Sequence, residues 1–177
     1  MKKLMIASAI AMAMTAGSAV ADTMGNQQNE IQFLGVVTEI TCDLDAVVDG
    51  VTNNVVQLGT VKKGEDGQEK NIVLKAKQGT TCSGLDNKTA TIAFRGSLGA
   101  NGLENTNGTA KGATVALVAK NSQTPDQSIT KNLNHVTFQA DKVNTEGYKF
   151  TARLKSDAAT GTAGSFDSAL AYAMTYQ

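Results

Sequence analysis

The strongest constraint on this chain is the way its apolar residues are spaced. Short runs rich in Val, Ile, Thr and aromatic side chains alternate with clusters of Gly, Asn, Asp and Ser. The runs are "IQFLGVVTEITCDL", "NNVVQLGTV", "KNIVLKAK", "ATIAFRG", "ATVALVAK", "HVTFQAD", "YKFTARLK" and "SALAYAMTY". Between them lie turn clusters such as "DGVTNN", "KGEDGQ", "SGLDNK" and "SDAATGTAG". Branched and aromatic side chains suit a pleated, half-buried surface, and the Gly/Asn/Asp clusters tolerate the positive φ that tight turns need. After the first 21 residues no stretch holds a 3.6-residue period with caps, so helices should be few and short. The chain is therefore expected to be all-β, with strand spacing that suits a sandwich with Greek-key connections. Its 17 glycines and single proline, Pro125, fit that class. The stretch Ser97 to Gly112 is the most loop-like and is expected at the surface.

The N-terminus has its own logic. Lys2 and Lys3 precede the apolar "LMIASAIAMAM", which is too short to span a bilayer, and "AVA" at Ala19 to Ala21 is a small-x-small cleavage pattern. Residues 1–21 are expected to be a secretory signal, with the mature chain starting at Asp22. The 16 basic and 16 acidic residues balance, and loss of the two lysines with the signal leaves a slight acidic excess. That balance gives no reason to expect a nucleic-acid partner or an anionic membrane surface. Cys42 and Cys82 are the only cysteines, 40 residues apart. In an oxidising compartment two such thiols in one small domain predict a structural disulfide.

Catalytic chemistry finds no footing. His135 is the only histidine and lies in "NLNHVTFQ", with no nucleophile elbow in the chain. The acidic "GEDGQEK" lacks the alternating oxygen ligands of a calcium loop, and "GANGLENTNG" follows no strand-to-helix phosphate-binding pattern. No metal site, no cofactor and no enzymatic activity are expected.

Both ends of the mature chain alternate. In "NEIQFLGVV", Ile31, Phe33, Gly35 and Val37 share one face, and a glycine within an apolar face signals close approach by a neighbouring group. In "LAYAMTYQ", Leu170, Tyr172, Met174 and Tyr176 share one face, with Ala169, Ala171, Ala173 and Thr175 on the other.

Taken together, the in-phase glycine of "IQFLGVV", the following "TEITC", the pattern "VVQLGTV", the 40-residue cysteine spacing, Gly164 as the fourteenth residue from the end and the penultimate Tyr176 resemble a major subunit of the chaperone–usher fimbriae, related to type 1 pilins. The resemblance rests on the first third and the last fifteen or so residues. It implies an incomplete immunoglobulin-like sandwich that lacks its last strand, with an open groove between the first and last strands, completed by donor-strand exchange. An open groove exposes apolar core and unpaired backbone groups. On this reading residues 22–38 are an N-terminal extension and 39–177 the pilin domain. Ile31, Phe33 and Val37 would fill successive pockets in a neighbouring copy, with Gly35 where room is least. Asn29 stands where an apolar donor residue would be expected. Gly164, Leu170, Tyr172, Met174 and Tyr176 would form the acceptor groove and the strand read by chaperone and usher, and Cys42–Cys82 would staple the early strands.

The function so implied is a structural subunit of an adhesive fimbria, exported through the periplasm to the cell surface. Its partners would be neighbouring copies of itself, a periplasmic chaperone and an outer-membrane usher. The alternative is a shaft subunit that itself binds a host glycan receptor. A dedicated tip adhesin would carry a further lectin domain and no donor strand, and a monomeric periplasmic sandwich would close its own groove.

Overall fold

The computed structural model describes residues 42–177, which form two facing antiparallel sheets. The larger sheet contains β1 (Leu44–Val48), β2 (Val51–Thr52), β3 (Lys70–Ala76), β5 (Leu98–Gly99), β6 (Gly102–Glu104), β7 (Ala113–Ala119), β8 (Gln127–Ile129) and β10 (Tyr148–Ser156). Its spatial order is β2-β1-β3-β10-β7-β6-β5, with β8 also pairing with β7. The smaller sheet has the order β11-β4-β9, from β4 (Thr89–Gly96), β9 (His135–Gln139) and β11 (Leu170–Tyr176). The one helical element among the described residues is a 3-10 helix, Ala140–Asn144.

Alternation along the strands decides what lies between the sheets. Directly opposed residues of an antiparallel pair project to the same face. Register links Ala46, Leu74 and Tyr148 in one row of the larger sheet and Val48, Ile72, Phe150 and Ala119 in the next. Across from them, Ala90, Ile92 and Phe94 of β4 and Val136 and Phe138 of β9 are buried. Aromatic rings lock the layers together. Phe94 meets Phe150 edge-on at 5.6 Å, and Phe138 lies 4.7 Å from Tyr148 and 5.5 Å from Phe150. Such pairs add to simple area burial. Tyr148 is fully buried, and its hydroxyl donates to the Ala140 carbonyl at 2.8 Å.

Cys42 and Cys82 are disulfide-bonded, with Cα atoms 5.4 Å apart. The bond ties the start of β1 to the loop that leads into β4. Asn144 holds the same loop, its side chain accepting from the Cys82 amide and donating to the Cys82 carbonyl.

The strands expected at "KNIVLKAK", "ATIAFRG", "ATVALVAK", "HVTFQAD", "YKFTARLK" and "SALAYAMTY" all form, the fourth of these running into the 3-10 helix. Two expectations need correction. "NNVVQLGTV" forms no strand, and among the described residues none of 54–61 joins a ladder. Val56 and Leu58 are half-buried and Val55 and Gln57 exposed, so the alternation is real, but among the described residues no neighbouring strand supplies hydrogen bonds. The second correction concerns "LDAVV", most of which lay outside the runs read as strands. It forms β1, closed onto β2 by a two-residue turn in which Asp49 and Gly50 have φ of 48° and 89°. That conformation suits the right-handed twist of a hairpin and explains the Asp-Gly pair. The loop-like stretch after β4 also contains the short β5–β6 hairpin.

Candidate functional site

β11 is the last strand and an edge of the smaller sheet among the described residues. It pairs antiparallel with β4 along its whole length, Leu170 opposite Gly96, Tyr172 opposite Phe94, Met174 opposite Ile92 and Tyr176 opposite Ala90. Because Phe94, Ile92 and Ala90 point into the core, so do the four alternating β11 residues. The strand nevertheless remains only partly covered, and Tyr172 keeps 42 % of its surface exposed. A strand whose apolar face looks inward yet is not covered borders an opening in the sandwich.

That opening is an apolar cavity of about 530 Å³ between the sheets. Ala46, Val48, Ile72, Leu74, Phe150 and Ala152 form one wall, from three adjacent strands of the larger sheet. Leu103, Val115 and Leu117 line it further along the same sheet, and Phe94, Leu170 and Tyr172 line the other wall. Its rim is made by Val55, Val56 and Leu58 of the unladdered segment and by Phe166 to Ala169 ahead of β11. The exposed Val55 and Tyr172 are thus rim residues of one feature. Large apolar openings of this kind mark interaction sites on folded domains.

The two ends of β11 differ. Met174 and Tyr176 pack against the core cluster but do not line the cavity, whereas Leu170 does both and Tyr172 lines the cavity. Burial raises the pKa of the Tyr176 hydroxyl. It also raises that of Tyr172, with the Asp45 carboxylate adding to the effect. Burial pushes Tyr148 up strongly, reinforced by the neighbouring Tyr176. All three stay neutral through the physiological range.

Of the residues singled out in the sequence, Leu170, Tyr172, Met174 and Tyr176 share one strand face, and Cys42 and Cys82 are joined. Gly164 lies in the segment leading to β11, where a Cβ would stand 2.4 Å from the Ala110 nitrogen. Ile31, Phe33, Gly35 and Val37, with Asn29 and the signal segment, lie outside the described residues. His135 starts β9 in an exposed position, and no cluster of metal-ligating side chains occurs among the described residues. Leu103, Val115, Leu117 and Phe166 also line the cavity, and the sequence did not mark them as part of a site. Period-two alternation marks such residues as inward-facing but cannot show that the layer above them is incomplete.

No family model matches the chain. It is 40 % identical over 178 residues to the F107 fimbrial protein of Escherichia coli, covering the whole of both chains. Among solved structures, the P pilus rod subunit PapA aligns with a TM-score of 0.52 at 16 % identity, over 84 % of this chain and 100 % of that one. That likeness concerns the fold. A chaperone–usher pilus structure aligns over 89 % of this chain and 100 % of its own, with a TM-score of 0.47 and 16 % identity.

Proposed function

This chain belongs to the fimbrial protein family and is a structural subunit of a pilus rather than an enzyme, and from that premise we propose that it polymerises by lending its N-terminal strand to the cavity of the next copy. Residues 22–38 are the extension and 39–177 the domain that receives it. Ile31, Phe33 and Val37 enter the apolar cavity, and Gly35 passes where the walls leave no room for a side chain. Before assembly a periplasmic chaperone covers the same groove, and an outer-membrane usher carries out the exchange, delivering the fibre to the cell surface where it supports adhesion.

One observation carries the reading: an apolar cavity is lined both by β11, an edge strand among the described residues, and by Val55, Val56 and Leu58, from a segment that joins no ladder among those residues. A strand laid between them gains backbone hydrogen bonds and buries alternate side chains, the two terms that define strand addition; chaperone–pilin complementation is itself a recognised instance. Burying the three apolar donor side chains contributes about 5–9 kcal/mol before ordering costs.

The test is the state of the native material and its dependence on one residue. Wild-type fibres should run as a ladder of multimers that resists heat and detergent. Gly35→Leu should leave the subunit in the periplasm and abolish the ladder. A purely monomeric wild-type protein, or normal fibre yield from Gly35→Leu, contradicts the proposal.

A further inference from the structure

Two loops with no apolar motif hold the segment that leads into β11. One, between β6 and β7, spans 105–112; the other, between β10 and β11, spans 157–169. They are joined backbone to backbone. The Ala110 amide donates to the Ser165 carbonyl, the Thr106 and Asn107 amides both donate to the Asp167 carbonyl, and the Thr162 amide donates to Lys111. Thr109 and Ser165 exchange bonds, each amide donating to the other's hydroxyl, at 3.2 and 3.1 Å. The approach leaves no space for side chains at its centre, since a Cβ on Gly108 would stand 2.2 Å from the Ser165 carbonyl oxygen.

Asn105 is the hub of this clasp. Its Oδ1 accepts from the Gly108 amide at 3.1 Å and the Asp167 amide at 2.9 Å. Its Nδ2 donates to the carbonyls of Ala110 at 2.7 Å and Ser165 at 3.0 Å. Only a carboxamide of this length offers two acceptor sites and two donors in that fork. Two of the four bonds stay within its own loop and two cross to the other. The crossing bonds flank Phe166, which packs on the core and lines the cavity together with Asp167 and Ser168.

We propose that Asn105 is a positioning residue for the strand-accepting groove, fixing Phe166 to Ser168 as the rigid end of the cavity against which an incoming strand seats. This rests on the donor-strand reading above. A groove whose rim is already fixed costs less to order on binding than one whose rim must first be assembled.

The decisive variant is Asn105→Asp, nearly identical in shape. It keeps the acceptor for Gly108 and Asp167 but replaces the donor with an oxygen facing two carbonyls. The probe is a synthetic peptide of residues 22–38, offered to the full-length chain purified with its periplasmic chaperone. Capture by Asn105→Asp should be about tenfold weaker than by wild type, as expected from two lost bonds. Hydrogen exchange at the Ala110 amide, which donates to the Ser165 carbonyl across the clasp, should accelerate. Val143→Ala, a core change away from the cavity that lowers the melting temperature at least as much, should capture peptide like wild type. If Asn105→Asp is not recovered, Asn105→Ser, which removes the donor to the Ala110 and Ser165 carbonyls, should weaken capture by about tenfold. Wild-type capture by whichever variant is measured overturns the role of Asn105 and leaves the donor-strand reading standing. Failure of the wild-type chain to capture the peptide overturns both.

Discussion

Filling the groove from within should stop assembly without unfolding the domain. Ala46 lies on the inner face of β1, half-buried, and lines the cavity beside Val48 and Leu74. Ala46→Phe places an aromatic ring into a space of about 530 Å³ without displacing buried neighbours, so the domain itself should keep or slightly gain stability. An incoming strand then loses at least one apolar seat. The burial of one Val, Ile or Phe side chain is worth about 1.5–3 kcal/mol, which corresponds to roughly ten- to more than a hundredfold in affinity. Fluorescence anisotropy with a labelled peptide of residues 22–38 reads that change directly. Fibre yield from cells, set against the periplasmic subunit level, reads it in the assembled state. Undiminished peptide capture by a well-folded Ala46→Phe would refute the identification of this cavity as the acceptor.

Other perturbations test the frame around the groove. Phe138→Ala removes a fully buried ring that contacts Tyr148 and Phe150, and should cost about 3–5 kcal/mol in denaturant unfolding. Replacing Cys42 and Cys82 together by serine opens a bridge across a separation of 40 residues, and on the loop-entropy model should cost about 4 kcal/mol, measured as a drop in periplasmic yield and melting temperature. Tyr148, Tyr172 and Tyr176 all have pKa values raised by burial above their ordinary value. The folded state therefore holds protons that the unfolded state releases. Their stabilising contribution is complete below about pH 10 and is lost as pH rises beyond it. Ultraviolet titration should show Tyr148 and Tyr176 ionising together with unfolding, and simple titration of both near pH 10 in folded protein would contradict their burial.

Much of the frame was legible because period-two alternation reports which face is buried. Leu170, Tyr172, Met174 and Tyr176 could be placed on one face from the sequence, and the register with β4 puts that face inward. The same rule misled at "NNVVQLGTV". Val56 and Leu58 do alternate toward the core, but whether an extended segment becomes a strand depends on a hydrogen-bonding neighbour, which its own residues do not encode. β1 escaped notice because Asp45 and Asp49 interrupt its apolar character, although Asp49 is there to turn the chain and to accept from the Asn71 amide and Lys70. The clasp around Asn105 was the least legible feature. Ser, Thr, Asn and Gly over two loops 50 to 60 residues apart read only as surface loop, and their pairing arises from a tertiary approach that no local pattern signals.

In a donor-strand fibre the N-terminal strand of one copy lies in the cavity of another, a contact that inter-subunit cross-linking can capture. Cells would co-express one chain carrying Ile31→Cys, Phe33→Cys or Val37→Cys with a second chain carrying Tyr172→Cys, and surface fibres would be analysed without reduction. Donor-strand assembly predicts that at least one pairing gives a covalent dimer joining the two differently tagged chains. Intact surface fibres that give no cross-link between the two chains at any of the three pairings would contradict it.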